Sequence, residues 1–439
     1  MIRWTGEAEL GHPYWWDAAP PDHTSDDLPG RVDVLVIGAG FTGLSAAIAA
    51  HDAGASVAVV DAGLPAAAAS SLNGGMFGAH PRLPWEQLAR TYGETVADGI
   101  FAEARPALEF AKDLIAREGI ACDLTQTGRI QLAWTQSHFE RQKRLASHIA
   151  DKSGVTVEVV EREGLSTEIA TEHYYGGLLF PEHCAVHPGK YAHGLLRAVR
   201  ARGVPVVAHA EVTRLERVEG FLALTPKGDV RARKVILATN GYTSGAFRRF
   251  QARVFPLPSF LIATEALPPN LIGHLAPGRR MMVETRARHS YFRLSPDGTR
   301  VLYGGRASMR PVDLPTAAAR LKATMCEVWP ELADVALSHV WTGNTGYSFG
   351  HMPQVGEEDG LHYALAYSGS GTVLAPYLGA KAAWAALGDA RATTAYGQTA
   401  LRASWMHPAA KPWFLYPADL WYRFSVDPSE SKAGRGHRI

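Results

Sequence analysis

Cysteine is scarce in this chain: three occur in 439 residues, Cys122, Cys184 and Cys326. They lie far apart, in no CxxC or Cys/His ligand spacing, which excludes a disulfide scaffold and a zinc site and leaves no metal to expect. Excess charge of either sign is also missing. Lysine and arginine total 44 against 43 acidic residues, a net charge of +1, so there is no basic footprint for nucleic acid or an anionic membrane. Long apolar runs are lacking too. The most apolar window, residues 43–60, is interrupted by His51, Asp52 and Gly54, short of the ~20 residues a bilayer demands. The opening MIRWTGEAELGHPYWWDAAPPDH has charges where a secretory leader needs an apolar core, so a cytoplasmic protein is expected. A chain this long holds two consecutive or interleaved domains and can enclose a large cofactor.

What is present begins at Val32. VDVLVI, residues 32–37, reads as a strand covered on both faces of a parallel sheet. Gly38-Ala39-Gly40-Phe41-Thr42-Gly43 follows, then a helix through LSAAIAAHDAG. Gly38 makes the tight turn, Gly40 lets backbone approach a pyrophosphate, and Gly43 lets the helix lie close to the sheet. The helix start turns amides and positive dipole toward phosphate. A second strand, SVAVV, ends in Asp61, eighteen residues beyond Gly43. An acid there accepts hydrogen bonds from ribose hydroxyls and repels a 2′-phosphate, so the constellation predicts a dinucleotide other than NADP.

Only one such fingerprint occurs, close to the start, which suggests one dinucleotide built into the protein. Three further loops suit a flavin. AGLPAAAASSLNGGMFGAH, residues 62–80, can pass Asn73, Gly74 and Gly75 close to a flat ring. KVILATNGYTS, residues 234–244, is a strand running into a Thr-Asn-Gly turn, after hairpin signals at Glu219-Gly220 and Lys227-Gly228-Asp229. LHYALAYSGSGTVLAPYLGAKAA, residues 361–383, repeats strand, glycine turn and helix. Its turn, Gly369-Ser370-Gly371-Thr372, can face the electron-rich edge of a reduced isoalloxazine.

With these motifs the chain resembles the FAD-dependent oxidoreductases of the D-amino-acid oxidase superfamily, and within it the γ-glutamylputrescine oxidase-like amine oxidases. The likeness runs through PYWWDAAPP, VLVIGAGFTGLSAA, SSLNGGM, VHPGKYAHGLLRAVRARGV, ATNGY, FLIATEALP, YFRLSPDGTRVLYGGR, YSGSG and PWFLYPADLWYRF. It implies an α/β fold with an α+β part: a Rossmann-like FAD-binding domain (25–80, 150–245, 335–400) interleaved with a mixed-sheet substrate domain (81–149, 246–334). A C-terminal helical cover (401–428) and a disordered tail (429–439) complete the expectation. Within 84–119, Pro106 makes two helices likelier than one. The resemblance also puts Ala62, Ser70, Met76, Val212, Ala238, Thr239, Gly241 and Gly343 at the flavin, held noncovalently.

Departures from the family pattern bear on substrate. Leu72 stands where relatives carry an arginine before Asn-Gly-Gly, and Ser370 where they commonly carry histidine. WTGNTGYSFGHMPQVG, residues 341–356, lacks the arginine that clamps an α-carboxylate in amino acid oxidases, and VLYGGR, 301–306, lacks an oxygen-activating lysine. The expectation is a small-molecule amine without an adjacent carboxylate, oxidised to an imine by hydride transfer to flavin N5 and then hydrolysed. Electrons would pass to oxygen or another acceptor. The alternatives are a D-amino acid or N-methyl amino acid oxidase or dehydrogenase, and a non-catalytic flavin-binding subunit. Such chemistry asks side chains for alignment and a neutral amine. His351 and His80 are candidates to take the amine proton. Tyr291, Phe292, Trp341 and Tyr347 are candidate aromatics near the ring, and Arg82 and Arg293 candidate partners for a remote acid group.

Overall fold

The structure, a computed structural model, describes residues 2–399, 402–404, 407 and 412–435. Two sheets organise it. In the first, the strand Arg31–Ile37 lies parallel to Val57–Val60 on one side and to Gly228–Leu237 on the other. Its residues alternate: Val34 and Val36 face the core shared with the helix Phe41–Asp52, whereas Leu35 and Ile37 face a second core with Phe221 and Phe247. Both faces are covered, which is why the run is apolar without interruption. The hairpins form at Gly220 (φ 88°) and Gly228 (φ 119°). Strand Gly228–Leu237 pairs with the hairpin arm Gly220–Thr225 at its outer end and with Leu361–Leu365 at its inner end. The meander is thereby carried into the parallel sheet beside the fingerprint.

The second sheet has nine strands, in spatial order 4–10, 337–348, 254–264, 301–305, 290–294, 281–284, 129–132, 176–180 and 158–161. Helix Leu314–Val328 covers one face, where Phe260, Ile262, Phe292, Tyr303, Met325 and Trp329 form a buried cluster. The segments 158–161, 176–180 and 337–348, expected in the nucleotide-binding part, are strands of this sheet instead. Pairing partners are chosen by tertiary contact, which the local sequence of these segments does not encode.

Other departures have local causes. Residues 84–119 make three helices, Trp85–Tyr92, Glu94–Ala102 and Ala104–Arg117. One break precedes Pro106; the other is at Gly93, whose φ of 91° ends a helix. The tail expected to be disordered over 429–439 continues a helix, Asp427–Arg435, while 436–439 lie outside the described residues. Polar composition argued for disorder, but this segment is pinned: Trp134 Nε1 donates to the Glu430 carbonyl (3.0 Å), Glu430 accepts the Ala287 amide (3.1 Å), and Asp427 pairs with Arg288. No helix among the described residues is long and apolar enough to cross a membrane.

Candidate active site

A cavity of about 910 Å³ opens at the carboxyl ends of the parallel strands. Its floor is the fingerprint. Gly38 has φ 105°, and a Cβ there would stand 2.8 Å from the Ala238 carbonyl oxygen. A Cβ on Gly43 would stand 1.8 Å from the Gly38 carbonyl oxygen, so helix and turn touch backbone to backbone. Ser70 Oγ accepts the Phe41 amide at 2.9 Å, and no side chain caps the helix Phe41–Asp52 at Gly40. Its remaining first-turn amides are left for an anion in the cavity. Asp61 sits at the next strand end, its carboxylate fixed by the amides of Ala39 (2.7 Å) and Gly63 (2.8 Å). Burial raises its pKa and those two amides oppose the rise. Each oxygen keeps a lone pair for a ribose hydroxyl.

The loop after Asp61 forms one wall, and two tryptophans hold it. Trp15 Nε1 donates to the Asn73 carbonyl at 2.8 Å, and Trp341 Nε1 to the Leu72 carbonyl at 2.9 Å. Asn73 braces the turn from within, donating to the Ser70 carbonyl (2.9 Å) and accepting the Gly75 amide (2.9 Å). Gly74 does pass close to a flat ring, that of Tyr291: a Cβ there would lie 2.8 Å from Tyr291 Cε2. Gly304 makes room on the same ring, at 2.4 Å. The Tyr291 hydroxyl bonds Ser259 Oγ at 2.9 Å, and burial pushes the phenol up to about 12, so it stays protonated.

The late turn closes the opposite wall. Helix Gly371–Ala386 starts at Ser370 without a side-chain cap, so a second helix start faces the same cavity. Thr372 Oγ1 donates to the Met76 carbonyl at 2.5 Å, and Tyr367 and Thr42 share a hydroxyl bond at 2.8 Å. These bonds lock the late helix to the ring loop and to the fingerprint helix. A glycine cradle that any Cβ would fill, and two uncapped helix starts on one elongated cavity, fit a dinucleotide carrying a diphosphate and a flat ring.

The same cavity includes a chamber lined by Arg82, Arg129, Arg306, His80, His289 and His351, with Tyr291 and Tyr347. His351 is held in the left-handed region (φ 54°) by a turn in which its amide donates to the Ser348 carbonyl (3.0 Å). All three histidines are pushed below the usual histidine value, first by desolvation and then by guanidinium charge: Arg129 and Arg82 at His80, Arg306 and Arg82 at His289, Arg82 and Arg306 at His351. They are held neutral at pH 7, and the same surroundings disfavour their protonation.

Of the residues expected at the cofactor, Gly38, Gly40, Phe41, Thr42, Asp61, Ala62, Ser70, Asn73, Gly74, Met76, Val212, Ala238, Thr239, Gly343, Gly369, Ser370, Gly371 and Thr372 line this one cavity. Gly43, Gly75 and Gly241 do not; each packs against neighbouring backbone, Gly75 against the Val186 carbonyl and Gly241 against Gly346. Among the catalytic candidates, His80, His351 and Tyr291 line it. Trp341 does not: it is fully buried in a cluster with Trp15, Leu261 and Leu302. Phe292 lies in the core of the large sheet. Arg293 is also off the cavity, spending its donors on the carbonyls of Gly75, Val186 and Leu294, with burial lowering it to about 10. Sequence reasoning missed His289, Arg129 and Arg306 as chamber residues and Trp15 as a loop clamp. Arg306 ends VLYGGR and Trp15 sits in PYWWDAAPP, so both stood within motifs already marked.

Comparison with known proteins agrees with this geometry. The family described as FAD dependent oxidoreductase, DAO, matches residues 33–384. The probable oxidoreductase OrdL of Rhizobium meliloti (strain 1021) is 28% identical over 398 residues, spanning 88% of this chain and 91% of that protein. Gamma-glutamylputrescine oxidoreductase of Escherichia coli (strain K12) is 28% identical over 383 residues, 86% of this chain and 88% of that protein. Among solved structures, glycine oxidase from Geobacillus kaustophilus superposes with a TM-score of 0.71 at 20% identity, covering 84% of this chain and 99% of that one.

Proposed function

The chain belongs to the DAO family of FAD-dependent oxidoreductases and is an FAD-using enzyme rather than a carrier subunit, and from that premise we propose that it oxidises the C–N bond of a primary or secondary amine to an imine, which water then hydrolyses. The observation that carries this reading is the single cavity running from the dinucleotide cradle into a chamber of aromatics, guanidinium groups and neutral histidines. The name of the Escherichia coli relative, which points to an amine, supports the same class.

FAD, when bound, supplies the acceptor for the hydride equivalent lost from the carbon beside nitrogen. In this reading it is held without a covalent link: the helix start at Phe41 and the glycine turn take the diphosphate, Asp61 takes a ribose, and the 72–76 loop with the turn at Gly369–Thr372 borders the ring. The chamber's own residues prepare the amine. Arg82, Arg129 and Arg306 disfavour an ammonium ion beside them. His351 and His289, held neutral and facing the chamber, offer ring nitrogens that accept a hydrogen bond from the neutral amine. Tyr291, pinned by Ser259, Gly74 and Gly304, orients the substrate.

Anaerobic titration of the yellow holoenzyme with amines tests the reading. The expected result is bleaching of the flavin absorbance by at least one amine and its return on admitting oxygen or an artificial acceptor. Acid precipitation should release the colour into the supernatant. Flavin that dithionite reduces and no amine does would overturn the proposal.

A further inference from the structure

The chamber carries more positive charge than an amine substrate calls for. Arg82, Arg129 and Arg306 all line it, and among the described residues none of them is ion-paired with a carboxylate. Arg286, which also lines the cavity, shows the ordinary solution: it is paired with Glu284 and Glu327. Arg82, Arg129 and Arg306 keep aromatic, phenol and imidazole partners instead, and Arg82 and Arg306 also repel one another. Arg306 lies over the Tyr347 ring at 4.8 Å and bonds its hydroxyl, and Arg82 lies over the same ring at 5.4 Å. Arg129 lies over Phe180 at 5.2 Å, places Nη2 2.6 Å from His80 Nδ1, and leaves its buried Nε without a hydrogen-bond partner. Desolvation lowers the pKa of Arg82 and brings Arg129 to about 10. Arg129 and Arg306 are half-buried and Arg82 is exposed, and all three line the same cavity, so their N–H groups are placed to grip anions that a ligand brings. The diphosphate cradle at Gly38, Gly40 and Ser70 is built from other residues, whereas Arg82 stands by the late turn, where a Cβ on Gly369 would lie 3.6 Å from its Nη1.

Resting on the amine reading above, we propose that the substrate is an amine bearing two acid groups, one gripped by Arg82 and Arg306 beside Tyr347 and the other by Arg129 beside His80. Guanidinium forks suit carboxylates, which they hold by paired N–H···O bonds. Two anchors fix the carbon chain between them, so the nitrogen and its neighbouring carbon are presented in one pose. A polyamine, with only positive charge to offer, is repelled by the same groups. In this proposal Arg82 takes the remote acid group for which the sequence makes it a candidate, and Arg129 and Arg306 join it from two other segments.

The test reads binding, so it does not depend on turnover. Succinate, glutarate, butyrate and 1,4-diaminobutane are titrated into the holoenzyme, following perturbation of the flavin spectrum and the thermal midpoint. At least one diacid should bind about tenfold or more tighter than butyrate, with diaminobutane not binding. Arg129→Met and Arg306→Met should each reduce the diacid to the affinity of butyrate, while Arg306→Lys keeps part of the gain. Both methionine variants should melt no lower than the parent without ligand, which certifies that they fold. Equal binding of butyrate and the diacids, or diacid binding unchanged in the methionine variants, would overturn the inference. Diacid binding combined with flavin that no amine reduces would instead sink the oxidation reading and leave the diacid site standing.

Discussion

Trp15 is fully buried and donates its indole N–H to the Asn73 carbonyl at 2.8 Å, so Trp15→Phe removes one donor and keeps most of the ring. The rest of its setting is aromatic packing, on Tyr14 at 5.3 Å and on His187 at 4.9 Å, which phenylalanine retains in part. Leaving a buried carbonyl without its donor costs about 1–3 kcal/mol. In the proposed function that carbonyl belongs to the loop bordering the flavin ring, so the cost should fall mainly on the state in which the loop is ordered against FAD. Converted at 1.4 kcal/mol per decade, FAD should dissociate from the variant about 5- to 150-fold more readily. Quenching of flavin fluorescence on titrating FAD into apoprotein measures this directly. Trp341→Phe, which frees the neighbouring Leu72 carbonyl, should behave alike, and because both clamps act on one loop the double variant should lose less than the sum. If Trp15→Phe binds FAD with the parent's affinity, or lowers the melting temperature equally with and without FAD, the clamp has nothing to do with the cofactor.

Gly43→Ala should abolish FAD incorporation, since its Cβ would stand 1.8 Å from the Gly38 oxygen and 3.1 Å from Val36 Cγ1; a soluble yellow variant in normal yield contradicts this. His187 caps the helix Pro188–Ala201 by accepting the Lys190 amide at 3.1 Å, and desolvation, with the charge of Lys190, pushes its pKa from 6.5 to about 4. The folded state thus binds fewer protons than the unfolded one between those values, so its contribution to stability is full above pH 6.5 and is lost as pH falls toward 4. Melting temperature against pH should slope less over that window in His187→Asn, whose amide oxygen still caps; an unchanged slope refutes the assignment.

The parts of the molecule legible in the sequence are those whose signal is local. The strand, turn and helix at 32–52 compress apolar run, obligate glycines and helix into a short stretch, and the hairpins at Gly220 and Gly228 announce themselves by positive-φ glycines. What escaped depends on pairing over long separations. Trp341 and Gly343 lie two apart on one strand, yet the first is swallowed by the cluster around Trp15 while the second borders the cavity against Leu72. Nothing within 337–348 distinguishes those surroundings. Arg82, Arg129 and Arg306 come from three segments that form no motif together, and only the fold shows that, among the described residues, none is ion-paired with an acid. Gly74 is a middle case: the sequence places it by the flat ring of a cofactor, and the ring seen against it is that of Tyr291.

The strand Leu337–Ser348 performs three tasks in succession: Trp341 grips the ring loop, Gly343 gives space at the cavity wall, and Tyr347 seats two guanidinium groups. It is paired with Val254–Thr264, with one register shift at Ser338. Between 339 and 348, where the register is continuous, adding or deleting one residue would turn every later side chain to the opposite face, so this cavity wall can be remade by exchange at Tyr347 and its neighbours and not by altering the strand's length there.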